Sequence, residues 1–197
     1  MSRQWADGAE PTRRHLTEKQ VDAVERMTKS AVEILLARGY GATTIRRIAA
    51  AAGVGAATAY IYFSSKEHIF AEIFWRRLML APHPDYGALG PADRVVLTLR
   101  QLSALVADEP ALAMAVSLAL LGEDPDVQHL RACIAREIRR RLAAALGYGN
   151  DGRIAVLELL YTGAMLQAGI GWLSYAQVGD LLEACAYRIL AECPPST

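Results

Sequence analysis

The chain has 197 residues, 53% of them hydrophobic and 21% charged, which excludes a disordered polyelectrolyte and gives enough mass for a real core. Net charge is zero, yet residues 1–80 hold twelve Lys and Arg against eight Asp and Glu, while residues 81–197 hold nine against thirteen. A cationic half joined to an anionic half removes the objection that a neutral chain has no business with a polyanion.

Residues 1–15 are polar, carry Arg3, Arg13 and Arg14, and read as a flexible N-terminal arm with no secretory signal. "TEKQ" (Thr17 to Gln20) has capping-box spacing, and Val21, Val24, Ala31, Ile34 and Leu35 follow on one helical face. Gly39 stands where that helix should end. Thr43 and Thr44 can cap a short second helix carrying Ile45, Ile48, Ala49 and Ala52, which Gly53 breaks. A third short helix spans about 56–61. "SSKE" offers Ser64 as the cap of a fourth, with Glu67 reaching back, and that helix runs to about Leu80. "APHPDYGALGP" (81–91), with three prolines, reads as a linker and marks a boundary between residues 16–80 and 81–197.

Beyond it, Pro91, Pro110 and Pro125 each stand where a first helical turn would begin, and Gly122 and Gly147 where helices would end. Asn150 or Asp151 opens a long helix reaching about 173, and "SYAQ" (Ser174 to Gln177) opens the last, over about 176–192. The expectation is an all-α protein of about nine helices, with no run of strand period. Arg139, Arg140 and Arg141 read as a solvated helix face. Residues 159–179 carry no charge, but Gln167, Ser174, Gln177 and several glycines favour a buried or oligomeric helix over a membrane span.

The second and third helices, separated by "AAGVG", form a helix-turn-helix whose turn requires a left-handed residue at Gly53. Residues 39–70, "GYGATTIRRIAAAAGVGAATAYIYFSSKEHIF", resemble the DNA-binding domain of the tetracycline-repressor (TetR) family. Gly39, Thr43, Thr44, Ile48, Ala49, Ala52, Gly53, Val54, Thr58, Tyr60, Tyr62, Phe63, Ser65, Lys66 and Glu67 carry the match. It covers about a quarter of the chain; residues 81–197 match only in helix count and order.

The resemblance implies a cytoplasmic homodimeric transcriptional regulator, most often a repressor, on double-stranded DNA with a near-palindromic operator. It implies a third helix in the major groove, with Thr44, Thr58, Tyr60 and Lys66 meeting phosphates and Arg46 reaching a base edge. The base-reading positions hold Gly55, Ala56 and Ala57, where the family often carries polar residues. A methyl of Ala56 or Ala57 can still pack on a thymine methyl, and specificity then rests on Arg46, Tyr62 and DNA shape. The competing reading is a helical small-molecule-binding protein whose helix-turn-helix has lost specific DNA binding.

"EPALAMAVSLALLGED" (109–124) and "ELLYTGAMLQAGIGW" (158–172) are apolar nearly all round. Core helices look the same. The functional alternative is a cavity among helices five to eight for a small hydrophobic effector. Met114 and Met165 would form an adaptable wall, Ser117, Leu118 and Trp172 further lining, and Tyr161 or Gln167 the orienting group. The last two helices present Gly163, Ala164, Ala168, Leu181, Leu182, Ala186 and Ile189, which the resemblance places in a four-helix dimer interface. Cys133, Cys185 and Cys193 lack CxxC spacing, and His15, His68, His83 and His129 are scattered, so no metal site is expected. No P-loop, GxSxG or His-Glu zinc motif occurs; neither a catalytic group nor a cofactor is expected.

Overall fold

The structure is a computed structural model describing residues 18–147 and 151–191; the N-terminal arm with Arg13 and Arg14, the cap at Thr17, Asn150 and Cys193 lie outside them. The described residues form nine α-helices and no strand. The prolines do what their positions promised. Pro91, Pro110 and Pro125 open α5 (Pro91–Ala107), α6 (Pro110–Leu120) and α7 (Pro125–Leu146). At a first turn the missing N–H costs nothing.

The chain divides into two compact units. The first comprises the described residues through Leu80 together with Ala111–Ala132. In α1 (Glu18–Arg38), Ala23, Val24, Met27, Ala31 and Leu35 recur at three- and four-residue spacing and are all buried. Gly39, at φ 77°, closes the helix with its N–H on the Leu35 carbonyl at 2.8 Å. Thr44 caps α2 (Ile45–Ala51) by accepting the Arg47 N–H, while the buried Thr43 donates its hydroxyl to the Gly39 carbonyl at 3.0 Å. Gly53 turns the chain at φ 65°, the left-handed value the motif required. Arg26 of α1 ties the turn down by donating to the Ala52 carbonyl. Then come α3 (Ala56–Tyr62) and α4 (Lys66–Leu80).

The cap of α4 is Ser65, not Ser64. Ser65 Oγ accepts the His68 N–H at 3.1 Å, and Glu67 accepts the Tyr40 hydroxyl at 2.9 Å instead of reaching back. Two adjacent serines offered the same chemistry, and tertiary partners for Ser64 and Glu67 decided between them. The first unit is completed by α6 and residues 125–132 of α7.

The second unit holds α5, the rest of α7, α8 (Asp151–Gly169) and α9 (Tyr175–Ala191). α9 packs along both α5 and α8. Leu99, Leu102, Leu142, Leu157, Val178 and Leu182 form the centre of its core. Arg100 on α5 holds Asp180 and Glu183 on α9, and Tyr187 donates to Asp93 at 2.6 Å. α8 ends four residues earlier than expected, because Gly171 at φ 82° lets the Trp172 N–H close on the Gln167 carbonyl at 2.9 Å. Ser174 and Gln177 then form the reciprocal cap of α9.

The three consecutive arginines are not one solvated face. Arg141 is 2% exposed, with Nε on Glu137 at 2.8 Å and Nη2 on the Ala81 carbonyl at 3.1 Å. Arg139 pairs with Glu158 and Asp151. A carboxylate one turn earlier and a carbonyl meet the Nε and Nη2 donors and offset much of the cost of burying the guanidinium. Among the described residues, no single helix is long and apolar enough to cross a membrane.

Candidate DNA interface and the helices behind it

The outward surface of the helix-turn-helix is built by burying the opposite one. Ile45, Ile48, Ala49 and Ala52 of the α2 segment and Ala59 and Phe63 of the α3 segment go inside. That leaves Thr44, Arg46 and Arg47 exposed beside Gly55, Ala56, Ala57, Thr58 and Tyr60, with Tyr62 half-buried. The expected DNA-contacting residues of α2 and α3 therefore lie on the outside of two short helices joined through the Gly53 turn, Tyr62 only partly so. Arg47 bends back to the Ala42 carbonyl, whereas Arg46 has no partner among the described residues. Thr44 is engaged as a cap but keeps lone-pair capacity. Ile61, 61% exposed, belongs to the same surface and was missed by motif reasoning. Its signal was the four-residue spacing from Ala57.

Lys66 is placed differently. Its Nζ donates to the Tyr40 carbonyl at 3.1 Å and lies 4.0 Å over the Tyr40 ring. Burial, reinforced by the Glu67 carboxylate that accepts its hydroxyl, pushes the Tyr40 phenol well above its ordinary value.

Behind α3, the start of α4 is fastened to the turn between α6 and α7. Ser64 Oγ donates to Asp124 Oδ2 at 2.7 Å. Asp124 Oδ1 accepts the Asp126 N–H at 2.8 Å, which caps α7. The Ser64 N–H donates to Nδ1 of the fully buried His68 at 3.3 Å, with Asp126 Oδ2 3.6 Å from the same nitrogen. Burial alone would raise the Asp124 carboxyl; hydrogen bonds from Ser65 and Ser64, the Asp126 N–H and the nearby His68 outweigh it and hold the group below its ordinary value. An open groove of about 410 Å3 runs beside this junction between Tyr40, Glu67, Leu118, Leu121 and Gly122. None of these junction partners was legible, since Ser64 and Asp124 are 60 residues apart.

The effector-lining set divides by unit. Met114, Ser117 and Leu118 stand on α6 in the first unit, where Met114 and Leu118 are exposed and Ser117 donates to the Ala113 carbonyl at 3.0 Å. In the second unit Tyr161 is buried, with its hydroxyl on the Leu102 carbonyl at 3.3 Å, and burial beside Tyr175 raises it above the ordinary phenol value. Met165 is half-buried, Gln167 exposed, and Trp172 77% exposed.

The set expected at the dimer interface divides too. Ala164, Ala168, Leu182 and Ala186 are buried inside the unit; Leu181 is exposed, and Gly163 and Ile189 are partly so. The outward apolar stripe of α8 runs instead through Val156, Leu159 and Leu166 and continues to Ile170 just past its end, with Leu159 74% exposed. Its spacing was visible, but a helix apolar on every side does not announce which stripe faces out.

The family model for bacterial regulatory proteins, tetR family, matches residues 28–73. HTH-type transcriptional regulators of uncharacterized role from Mycobacterium tuberculosis H37Rv and Mycobacterium bovis are each 38% identical over 183 residues, covering 91% of this chain and 86% of their own. Among solved structures, a TetR transcriptional regulator from Rhodococcus sp. RHA1 superposes with a TM-score of 0.73 at 20% identity, over 90% of this chain and all of its own. FadR from Thermus thermophilus, a TetR-family repressor solved with lauroyl-CoA, does so at 0.61 and 20%, over 88% and 98%.

Proposed function

Because this chain belongs to the tetR family of bacterial regulatory proteins, and so is a DNA-binding transcriptional regulator, we propose that it acts as a homodimeric repressor released from a near-palindromic operator by a small, mainly hydrophobic effector. The observation that carries this reading is the fastening of α4 to the α6–α7 turn within one compact unit, through Ser64 and Asp124. α4 directly follows the DNA-facing helices, so a displacement of α6 reaches them through that joint. Met114 and Leu118 on the exposed side of α6 are the effector contacts we favour, with Ser117 beside them. In the second unit, Met165, Gln167 and Trp172 remain candidates; the Tyr161 hydroxyl is already engaged.

Dimerisation is assigned to the α8 stripe, supplemented by Leu181 on α9. A two-fold dimer sets its recognition helices about 34 Å apart, which calls for a near-palindromic site. Two structural neighbours are described in complex with lauroyl-CoA and stearoyl-CoA, which makes a long-chain acyl-CoA the first probe. A ligand that prefers the released state a hundredfold supplies about 2.7 kcal/mol, enough where the DNA-competent state is modestly favoured.

The test is fluorescence anisotropy of the full chain on fragments from upstream of its own gene, titrated with lauroyl-CoA. Specific, salt-dependent binding that falls as the acyl-CoA rises supports the proposal. Tight specific binding indifferent to acyl-CoA of every chain length contradicts acyl-CoA as the effector.

A further inference from the structure

The outward surface of α3 is defined by what it lacks. From Ala56 to Tyr62 there is no Lys, Arg, Asn, Gln, Asp or Glu. Guanine is read in the major groove by Arg or Lys, and adenine by Asn or Gln, with two hydrogen bonds from one side chain. α3 can make neither pattern. The hydroxyls of Thr58, Tyr60 and Tyr62 can offer only single hydrogen bonds that do not choose one base, so the base feature its alkyl groups can distinguish is the thymine C5-methyl group. Helical geometry arranges its alkyl groups for that task. Ala57 and Ile61 are four residues apart and share one line along the surface, while Ala59 between them is wholly buried. Ile61 therefore extends the surface begun at Ala57 by four residues, about 6 Å along the axis. Successive bases on a strand are about 3.4 Å apart, so the line spans neighbouring steps.

We propose that α3 selects its operator by thymine methyl groups, with Ala57 and Ile61 covering them. The inference rests on the DNA-binding reading above and specifies what that site recognises. It also predicts a response to cytosine methylation, because 5-methylcytosine presents a methyl at the same place in the groove. Its amino group replaces the thymine O4 acceptor, but the alkyl side chains of Ala57 and Ile61 make no hydrogen bond there and are indifferent to the exchange.

The experiment uses the full chain to enrich duplexes from a random-sequence pool. The enriched duplex is then remade with deoxyuridine at each thymine in turn, which removes only the methyl. Affinity should fall about fourfold at each covered thymine, the worth of one buried methyl-sized group. At such a step 5-methylcytosine–guanine should bind about fourfold better than cytosine–guanine. Ile61→Ala changes an exposed side chain, so the fold is spared, and it should bring the thymine-to-uracil ratio at its own step to one. A ratio of one at every thymine, on a duplex the protein still prefers, overturns the proposal and leaves DNA binding intact. Ratios unchanged in Ile61→Ala overturn the assignment to Ile61. A pool that never enriches, with no salt-dependent binding to any duplex, contradicts the DNA-binding reading and takes this inference down with it.

Discussion

α4 and α8 are both rich in apolar residues and dispose of them in opposite ways. α4 buries Ile69, Phe70, Ile73, Phe74, Trp75 and Leu78 within its own unit, leaving little apolar surface beyond Met79 and Leu80. α8 buries Ile154, Leu157, Tyr161, Ala164 and Ala168 but leaves Val156, Leu159 and Leu166 outside, with Ile170 just past its end. Full burial of such a side chain is worth about 1.5–3 kcal/mol, and each of these forgoes the share that stays in water. A contiguous stripe of them marks a surface meant for another body. The difference teaches that α4 is finished by its own chain, whereas α8 keeps an outward apolar stripe, the surface to which the proposal above assigns dimerisation.

The largest effect should come from setting two leucines against each other. Leu159→Glu, on the outward stripe, should weaken self-association a hundredfold or more, since a two-fold interface feels the buried charge twice and an unpaired buried charge costs about 3–5 kcal/mol. Its helical circular dichroism should be retained. Leu182→Glu, at a wholly buried position, should lose that helical signal as well. A Leu159→Glu chain that sediments as wild type would break the contrast between α4 and α8.

Next in size is Arg46→Ala. It should remove about 1–3 kcal/mol of discrimination at one base pair if the guanidinium makes a bidentate contact there. Equal losses on operator and random duplexes would move Arg46 to the backbone-contacting group.

Asp124→Ala should cost about 1–2 kcal/mol of unfolding free energy by removing the α7 cap and the Ser64 partner. The pH dependence has a definite sign. Because the folded state holds this carboxyl below its ordinary 3.8, its contribution is fully present above that value and is lost as pH falls through the lower folded-state value. Asp124→Asn should therefore flatten the acid-side loss of stability in chemical denaturation, and an unchanged acid-side slope would exclude Asp124 as a source of it.

The smallest effect is that of Lys66→Ala, which should reduce the salt slope of DNA binding by about one unit if Lys66 leaves Tyr40 for a phosphate. A slope unchanged by the substitution would mean that Lys66 keeps the Tyr40 carbonyl and ring as its partners in the complex.

Much of the fold was legible because its punctuation is local. Pro91, Pro110 and Pro125 lack an N–H wherever they sit, and Gly39 and Gly53 accept a left-handed backbone without reference to anything distant. The same holds for the helix-turn-helix, where Ile48, Ala49 and Ala59 turn inward as their spacing requires. What was not legible depends on partners far along the chain. Ser64 and Ser65 are equivalent as letters and both reach Asp124, and only the folded chain shows that it is Ser65 that accepts the His68 N–H. Arg141 reads as a surface residue until Glu137 and the Ala81 carbonyl are seen to receive it. On α8 the inward face is chosen by α9, so the small residues Ala164 and Ala168 were as plausible at an interface as Leu159 and Leu166.

The central claim is that two copies of this chain, joined through α8, read one near-palindromic site. Sedimentation equilibrium of the full chain with its enriched duplex, set beside a duplex carrying a single half-site, tests it most directly. The account predicts two chains on the full site, a large loss of affinity on the half-site, and the same loss for Leu159→Glu on the full site. One chain per duplex, with full site and half-site bound equally well, would contradict it.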